Sequence, residues 1–462
     1  MSSIYFYLLF VLSSLFVLLN LASKALGSRR REHLAINAVI LILILVDLLF
    51  LLMSGYSGLF AGVFSANPFS LFMASIFTAG LLLVNLIAFN YSENYVDFAV
   101  IGAFALIGMY VVSSSTSLIT IFLGLELASI PMVFAILLSK KSIEAAAKLF
   151  IMASIAIAVI SFAIVLVYGA SSSFALRSYS QGTLIAFAGI LFISAIGFEA
   201  SIFPFNVLIP DVYSGSSAYV TAMLGGMNKK VGFAALIQIL ILVFIADKQL
   251  FIIVAILSVL TMTYGNIVAL MQKNLKRMLA YSSISQAGYI LIGIAAATPQ
   301  GISASLFQIF SHMFLFIGLM AIVALLEKRN RAGIDDLIGL RSENSYLAIA
   351  LAIFMLSLLG LPFTTGFIGK LLLFLSAINA NLVWLAIIGI INSVISIFYY
   401  IRAISAAYTE KEGGRQIRTD KTIAAVVFIC LFITIAFGIY PQPIIGLTNN
   451  AAAFLFHAAQ HA

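Results

Sequence analysis

Continuous apolar runs of about 20 residues follow one another from end to end of this chain, and a run of that length crosses roughly 30 Å of hydrocarbon as a helix. Inside hydrocarbon each backbone N–H and C=O must be satisfied within the protein, which leaves helices or a closed barrel. The runs are continuous rather than alternating, which selects helices. The expected fold class is therefore all-α, a polytopic membrane protein. About fourteen spans are expected: 3–22, 34–53, 69–89, 96–115, 117–138, 144–168, 184–209, 218–245, 250–271, 281–297, 301–326, 345–377, 382–403 and 422–440. With 63% hydrophobic and 9% charged residues among 462, a soluble globule is excluded.

Loop charges test that reading. Arg29, Arg30 and Arg31, then Lys140 and Lys141, then Lys273, Lys276 and Arg277 occupy alternate loops. The series continues with Lys328, Arg329, Arg331 and Arg341, then Arg402, Lys411, Arg415, Arg418 and Lys421, while the intervening loops hold Arg177 and Lys248. The excess of positive charge on cytoplasmic loops predicts both termini outside. The net charge of +8 then reflects topology and lipid headgroups rather than nucleic acid. Cys430 is the lone cysteine, and His33, His312, His457 and His461 lack metal-ligand spacing. No phosphate-binding glycine loop, haem motif or iron–sulfur cysteine set is present, so no cofactor or metal is expected on this chain. Redox chemistry would belong to a partner. The N-terminal run lacks a basic leader and reads as a retained first helix.

Two spans are interrupted. Residues 196–211 contain Pro204 and Pro210; residues 358–374 contain Gly360, Pro362, Gly366 and Gly369. Proline inside a helix removes a hydrogen bond and clashes with the preceding turn, so the seventh and twelfth spans are expected to be discontinuous. They lie five apart, an odd number, so a tandem five-helix unit would be inverted in the membrane, with its broken helices marking the working site. The expected organisation is 1–95 for helices one to three, 96–245 for the first unit (four to eight), 250–403 for the second (nine to thirteen), and 404–462 for a cytoplasmic loop and helix fourteen.

Glu126, Glu199, Lys229 and Lys370 sit deep in these apolar stretches. A charge at a helix centre costs about 2.5–3.5 kcal/mol on insertion scales, so such residues face a bundle interior or a watery cavity. Desolvation favours a neutral amine over an ammonium, which lets a buried lysine take and release protons. Two acids and two bases across several helices read as a proton relay. His312, whose imidazole type titrates near neutrality, is a further member. Glu144 and Lys148 share one helical face at i and i+4. Asp47, inside the second span, and Glu144 are weaker members. Lys230 is expected to point away or snorkel, and Lys276 and Arg277 to anchor a loop.

The motifs FLGLELASIPM (122–132), SIEAAAKLF (142–150), GFEASIFPFNVLIPDVYSGS (197–216), NLKRMLAYSSISQAGY (274–289) and GLPFTTGFIGK (360–370) resemble the antiporter-like membrane subunits of respiratory complex I. The match runs from about residue 60 to 405. NLKRMLAYSSIS is shared with multisubunit cation/proton antiporters and membrane-bound hydrogenases; EAAAK, PDVYSGS and TTGFIGK resemble the N-type subunit (NADH-quinone oxidoreductase subunit N family) more narrowly. The resemblance implies proton translocation through Glu126, Lys148, Lys229 and Lys370 in a prokaryotic plasma membrane, beside M-, L-, K-, J- and A-like membrane subunits and driven by redox chemistry in partner subunits. NADH, a deazaflavin or ferredoxin, with flavin, iron–sulfur clusters and quinone, would belong to partner subunits of the complex. A subunit of a sodium/proton antiporter or a hydrogenase membrane arm is the alternative; a stand-alone solute transporter is disfavoured by the lack of a polar substrate cradle. Glu199 departs from the family, which has a lysine there. Two nearby acids would need a base, so the break at Pro204 is expected to bring Glu199 within reach of a lysine, Lys229 first.

Overall fold

A computed structural model describes residues 15–22, 30–60, 62–138, 143–179, 182–410 and 417–461. The start of the first expected span and the loop cations Arg29, Lys140, Lys141, Lys411 and Arg415 lie outside the described residues. The helices are α1 (Arg30–Met53), α2 (Pro68–Tyr91), α3 (Tyr95–Ser114), α4 (Leu118–Leu138), α5 (Ile143–Ser171), α6 (Thr183–Ala200), α7 (Ile209–Gly215), α8 (Ala218–Met223) and α9 (Lys229–Leu242). The second half continues with α10 (Lys248–Leu270), α11 (Leu275–Ala295), α12 (Pro299–Glu327), α13 (Leu340–Glu343), α14 (Ser345–Leu359), α15 (Thr365–Asn379), α16 (Val383–Tyr408), α17 (Lys421–Ile439) and α18 (Gln442–His461). Residues 15–22 are helical as well. One small antiparallel hairpin, β1 (Gly58–Phe60) with β2 (Phe64–Ala66), departs from the all-helical expectation.

Among the described residues, eleven helices are long and apolar enough to cross a membrane. The expected spans map onto helices one for one only where the backbone is regular. The 345–377 span divides into α14 and α15, and 218–245 divides into α8, a π turn over Leu224–Asn228, and α9. A last helix, α18, was not expected; it packs against α2, α9 and α12.

Both breaks have local causes. α6 stops at Ser201, whose φ of 59° leaves the helical region, and Pro204 follows before α7 begins. α14 stops at Gly360 with φ 105°, a conformation that glycine adopts without a Cβ clash. Pro362 then prevents resumption until Thr365.

The core is built around α11 and α12, whose apolar windows are entirely buried. α12 packs against α2, α8, α11, α14, α15, α17 and α18. Asn274 and Thr298 cap these two helices, accepting from the backbone N–H groups of Arg277 and Gly301. The outer helices bury one side and present leucine, isoleucine and phenylalanine outward, as on α1 and α16. That inside-out contrast, with polar side chains at the centre and apolar ones at the rim, is what a lipid solvent demands.

Candidate functional site

Glu126 sits midway along α4, half-buried beside an open apolar groove that includes Ile101, Phe104, Ile130 and Phe134. Its Oε2 is buried without a hydrogen-bond partner among the described residues. One turn further on, the Ser129 hydroxyl donates to Glu199 Oε2 at 2.8 Å, and the Asn228 amide donates to Ser129 Oγ at 3.4 Å. Glu199 occupies the last turn of α6. Its neighbourhood is set by the crossing of α6 and α9: a Cβ on Gly232 would lie 2.9 Å from the Ala200 nitrogen and 3.0 Å from the Glu199 Cβ. Only a residue without a side chain allows that approach.

Lys229, three residues before Gly232 on the same face, and Glu199 line one cavity with Phe198, Val212 and Tyr213. The cavity leaves about 20 Å³ for the centre of a water molecule, roughly what a single water needs. Lys229 Nζ lies 3.5 Å from Ser283 Oγ and 4.7 Å over the Tyr213 ring. The break brings Glu199 to the same cavity as Lys229, but not into a direct contact: among the described residues no ion pair within 4.0 Å involves Glu199. Its carboxylate turns to Ser129 on α4, whereas Lys229 leaves the π turn facing α11. The two share a cavity instead of a contact.

Lys230 points away from the Lys229 cavity, as one of the two expectations had it, but it does not snorkel. Lys229, Lys230, His312 and Lys370 are 3%, 2%, 1% and 4% exposed, so none snorkels. Lys230 Nζ donates to the Gly225 carbonyl at 2.9 Å and lies 2.7 Å from His312 Nδ1. The available signal was the apolarity of α9 all the way round, which marks a helix without a solvent face; every residue of α9 is buried.

Beyond His312 on α12 lies a pair of buried amides. Gln308, one turn away on α12, donates to Gln286 Oε1 at 2.9 Å, and Gln286 donates to the Leu358 carbonyl at 3.3 Å. Lys370 Nζ donates to the next carbonyl, Leu359, at 3.0 Å, and lies 4.5 Å over the Tyr289 ring. The break between α14 and α15 therefore supplies the acceptor, since carbonyls at a helix end lack intrahelical partners. Ser129, Gln286 and Gln308 were not singled out from sequence.

The remaining candidates lie elsewhere. Lys148 pairs with Glu144 at 2.6 Å, as the i, i+4 spacing predicts, and also with Asp211 at 2.8 Å. Arg277 pairs with the other Asp211 oxygen at 2.5 Å, tying α5, α7 and α11 together. Hydrogen bonding from Lys148 holds the Asp211 carboxyl below the usual carboxylate range; burial opposes this and Arg277 adds to it. Lys276 is not a loop anchor but a buried one. It pairs with Glu327 at 2.5 Å and donates to the Ser216 carbonyl, while Glu327 accepts from the Ala218 N–H that opens α8. Asp47 is half-buried on α1, which packs on α2 and α3; its Oδ2 has no partner among the described residues.

A helical membrane protein with carboxylates and lysines threaded between two broken helices has the build of an antiporter-like membrane subunit. Residues 115–396 match the family described as NADH:quinone oxidoreductase/Mrp antiporter, TM, and the chain belongs to that family. It is 34% identical over 416 residues to NADH-quinone oxidoreductase subunit N 1 of Chloroherpeton thalassium, covering 86% of this chain and 87% of that protein. It is 33% identical over 437 residues to F(420)H(2) dehydrogenase subunit N of Methanosarcina mazei, covering 88% of each. Among solved structures, a chain of respiratory complex I from Thermus thermophilus with bound aureothin superposes with a TM-score of 0.83 at 27% identity, over 96% of this chain and 99% of that one. The family read from the motifs is borne out.

Proposed function

We propose that this chain is the N-type, proton-translocating subunit of a complex-I-like quinone oxidoreductase. It moves protons through buried side chains while other subunits carry the redox reaction. The observation that carries the reading is that titratable groups gather at both helix breaks: Glu199 accepts from Ser129 and shares a cavity with Lys229 beside the first, and Lys370 donates to the Leu359 carbonyl across the second, with His312 buried on α12. Each titratable member is a group that can hold or pass a proton; a hydroxyl contacts Glu199, room for one water lies in the cavity that Glu199 shares with Lys229, and the Gln308–Gln286 amide pair reaches the second break.

In this reading Glu126 and Glu199 load the line, Lys229 and His312 carry it across the centre, and Lys370 passes it onward. Lys148, with Glu144 and Asp211, stands at the entrance, and Asp47 is peripheral. The two breaks support a division into inverted five-helix units, 96–245 and 250–403, flanked by 1–95 and 404–462. The alternation of basic loops supports both termini outside a prokaryotic plasma membrane. M-, L-, K-, J- and A-like membrane subunits are its neighbours, and electron carriers and quinone belong to partner subunits.

The test is proton uptake by the reconstituted complex. Lys229→Ala should assemble and transfer electrons into the quinone pool while proton translocation is strongly reduced. Parental proton transfer by an assembled Lys229→Ala complex would refute the relay.

A further inference from the structure

We propose that Lys230 is itself a proton carrier, and that the neighbouring lysines Lys229 and Lys230 divide the crossing at the centre of the line. Lys229 serves the Glu199 side and Lys230 hands over to His312. This rests on the relay reading above and adds to it a residue that the reading does not require.

Successive residues of a helix are about 100° apart around its axis, so two adjacent lysines address different neighbours. Lys229 faces the cavity it shares with Glu199 and the Ser283 hydroxyl. Lys230 faces α12, with its nitrogen 2.7 Å from His312 Nδ1. Among the described residues no carboxylate lies within ion-pair distance of either ammonium. Two buried, unpaired cations on adjacent residues repel, so a proton arriving on Lys229 drives one off Lys230.

The π turn over Leu224–Asn228 builds this arrangement. A π turn shifts the hydrogen-bonding register at functional positions, and here the Gly225 carbonyl within it accepts from Lys230 at 2.9 Å. A Cβ on Gly225 would come 2.4 Å from the Phe316 ring. That ring stacks with His312, with centroids 5.6 Å apart. The turn that orients Lys230 thus also leaves space for the ring that steadies its partner.

The transfer is balanced. An N–H bond of the Lys230 ammonium breaks, and its electron pair stays on Nζ as the lone pair of a neutral amine. The proton bonds to the lone pair on His312 Nδ1, forming an imidazolium; its Nε2 proton passes to a water on the Lys370 side, and the ring returns to the Nε2–H tautomer before the next transfer. One positive charge leaves Lys230 and one leaves His312 on the far side of the ring. The amine is refilled from the Lys229 side, and no oxidant or reductant is involved.

The experiment uses the whole complex in proteoliposomes and measures protons translocated per electron beside subunit content. Lys230→Arg keeps a cation and its donors but does not release the proton; Lys230→Met keeps much of the length and loses both. In assembled complexes, the proton flux dependent on this subunit should fall by about tenfold or more in either variant. His312→Ala should match that loss, and the double variant Lys230→Arg/His312→Ala should be no worse than either single one. A purely structural lysine would be rescued by arginine, so parental protons per electron in Lys230→Arg overturn the proposal. If neither Lys230 variant assembles, His312→Ala decides: loss of flux supports the hand-over, parental flux overturns it. Lys229→Ala and Lys370→Ala are run alongside. Parental pumping in both refutes the relay as a whole, whereas their loss with an unaffected Lys230→Arg removes Lys230 alone.

Discussion

The Lys370 ammonium donates to the Leu359 carbonyl, the last residue of α14, from the second turn of α15. This hydrogen bond joins the two halves of a broken helix, beside a second one from the Gly366 N–H to Ser357 Oγ at 3.2 Å, and the group that makes it can also lose a proton. Deprotonation would leave the amine two hydrogens with which to keep that bond, so the joint can survive a change of charge.

Lys370→Ala should abolish the proton flux that depends on this subunit, and Lys370→Arg should fail with it, since arginine retains its proton in a protein. Fluorescence quenching of a pH dye in proteoliposomes distinguishes the cases. Full recovery with arginine would make Lys370 a fixed counter-charge.

Glu199→Gln keeps the shape and leaves an amide beside Ser129. Proton flux should fall by about a hundredfold if the carboxylate is the donor into the Lys229 cavity. Ser129→Ala should produce a smaller loss, because it removes a hydrogen bond rather than a proton site. Parental flux in Glu199→Gln would show that the acid merely caps the break.

Lys276 and Glu327 form a pair shielded on both sides, with side-chain exposures of 6% and 14%. Removing one partner leaves a buried charge without compensation, a change of about 3–5 kcal/mol. Lys276→Met should therefore lower the thermal stability of the detergent-solubilised complex more than Lys276→Met/Glu327→Gln does. The loss should centre on α8, whose first N–H is held by Glu327.

Asp211 gives a pH dependence of definite sign. Its carboxyl is held below its usual range, chiefly by Lys148. The contribution is therefore complete above the unfolded carboxylate pKa of about 3.9 and is lost as pH falls through the lower folded value. Parent and Asp211→Asn should differ in stability at neutral pH and converge in acid. Melting curves across that range decide it; a gap that persists below both values would place the effect in packing.

Much of the fold was legible because the signals were local. Pro204 and the Gly360–Pro362 pair act on their own turns of helix, and the apolar runs needed only length to be read. Glu126, Glu199, Lys229 and Lys370 stood out because a charge in hydrocarbon is costly wherever it points. Lys230 was misread in part, because its direction depends on the π turn before it and on α12, which lies some 80 residues later in the chain. Gln286, Gln308 and Ser129 are neutral, and nothing in their own neighbourhoods separates a conducting amide from a packing one. α18 was missed for another reason: Asn449 and Asn450 interrupt its apolar character, yet Ser303 bonds Thr448 and Asn449 across the interface.

The cavity between Glu199 and Lys229 has room for about one water, and that size has a kinetic meaning. A lone water that has passed a proton forward is left pointing the wrong way and must rotate before it can pass another. In the relay proposed above, such a gap would act as a turnstile that passes one charge per rotation of its water.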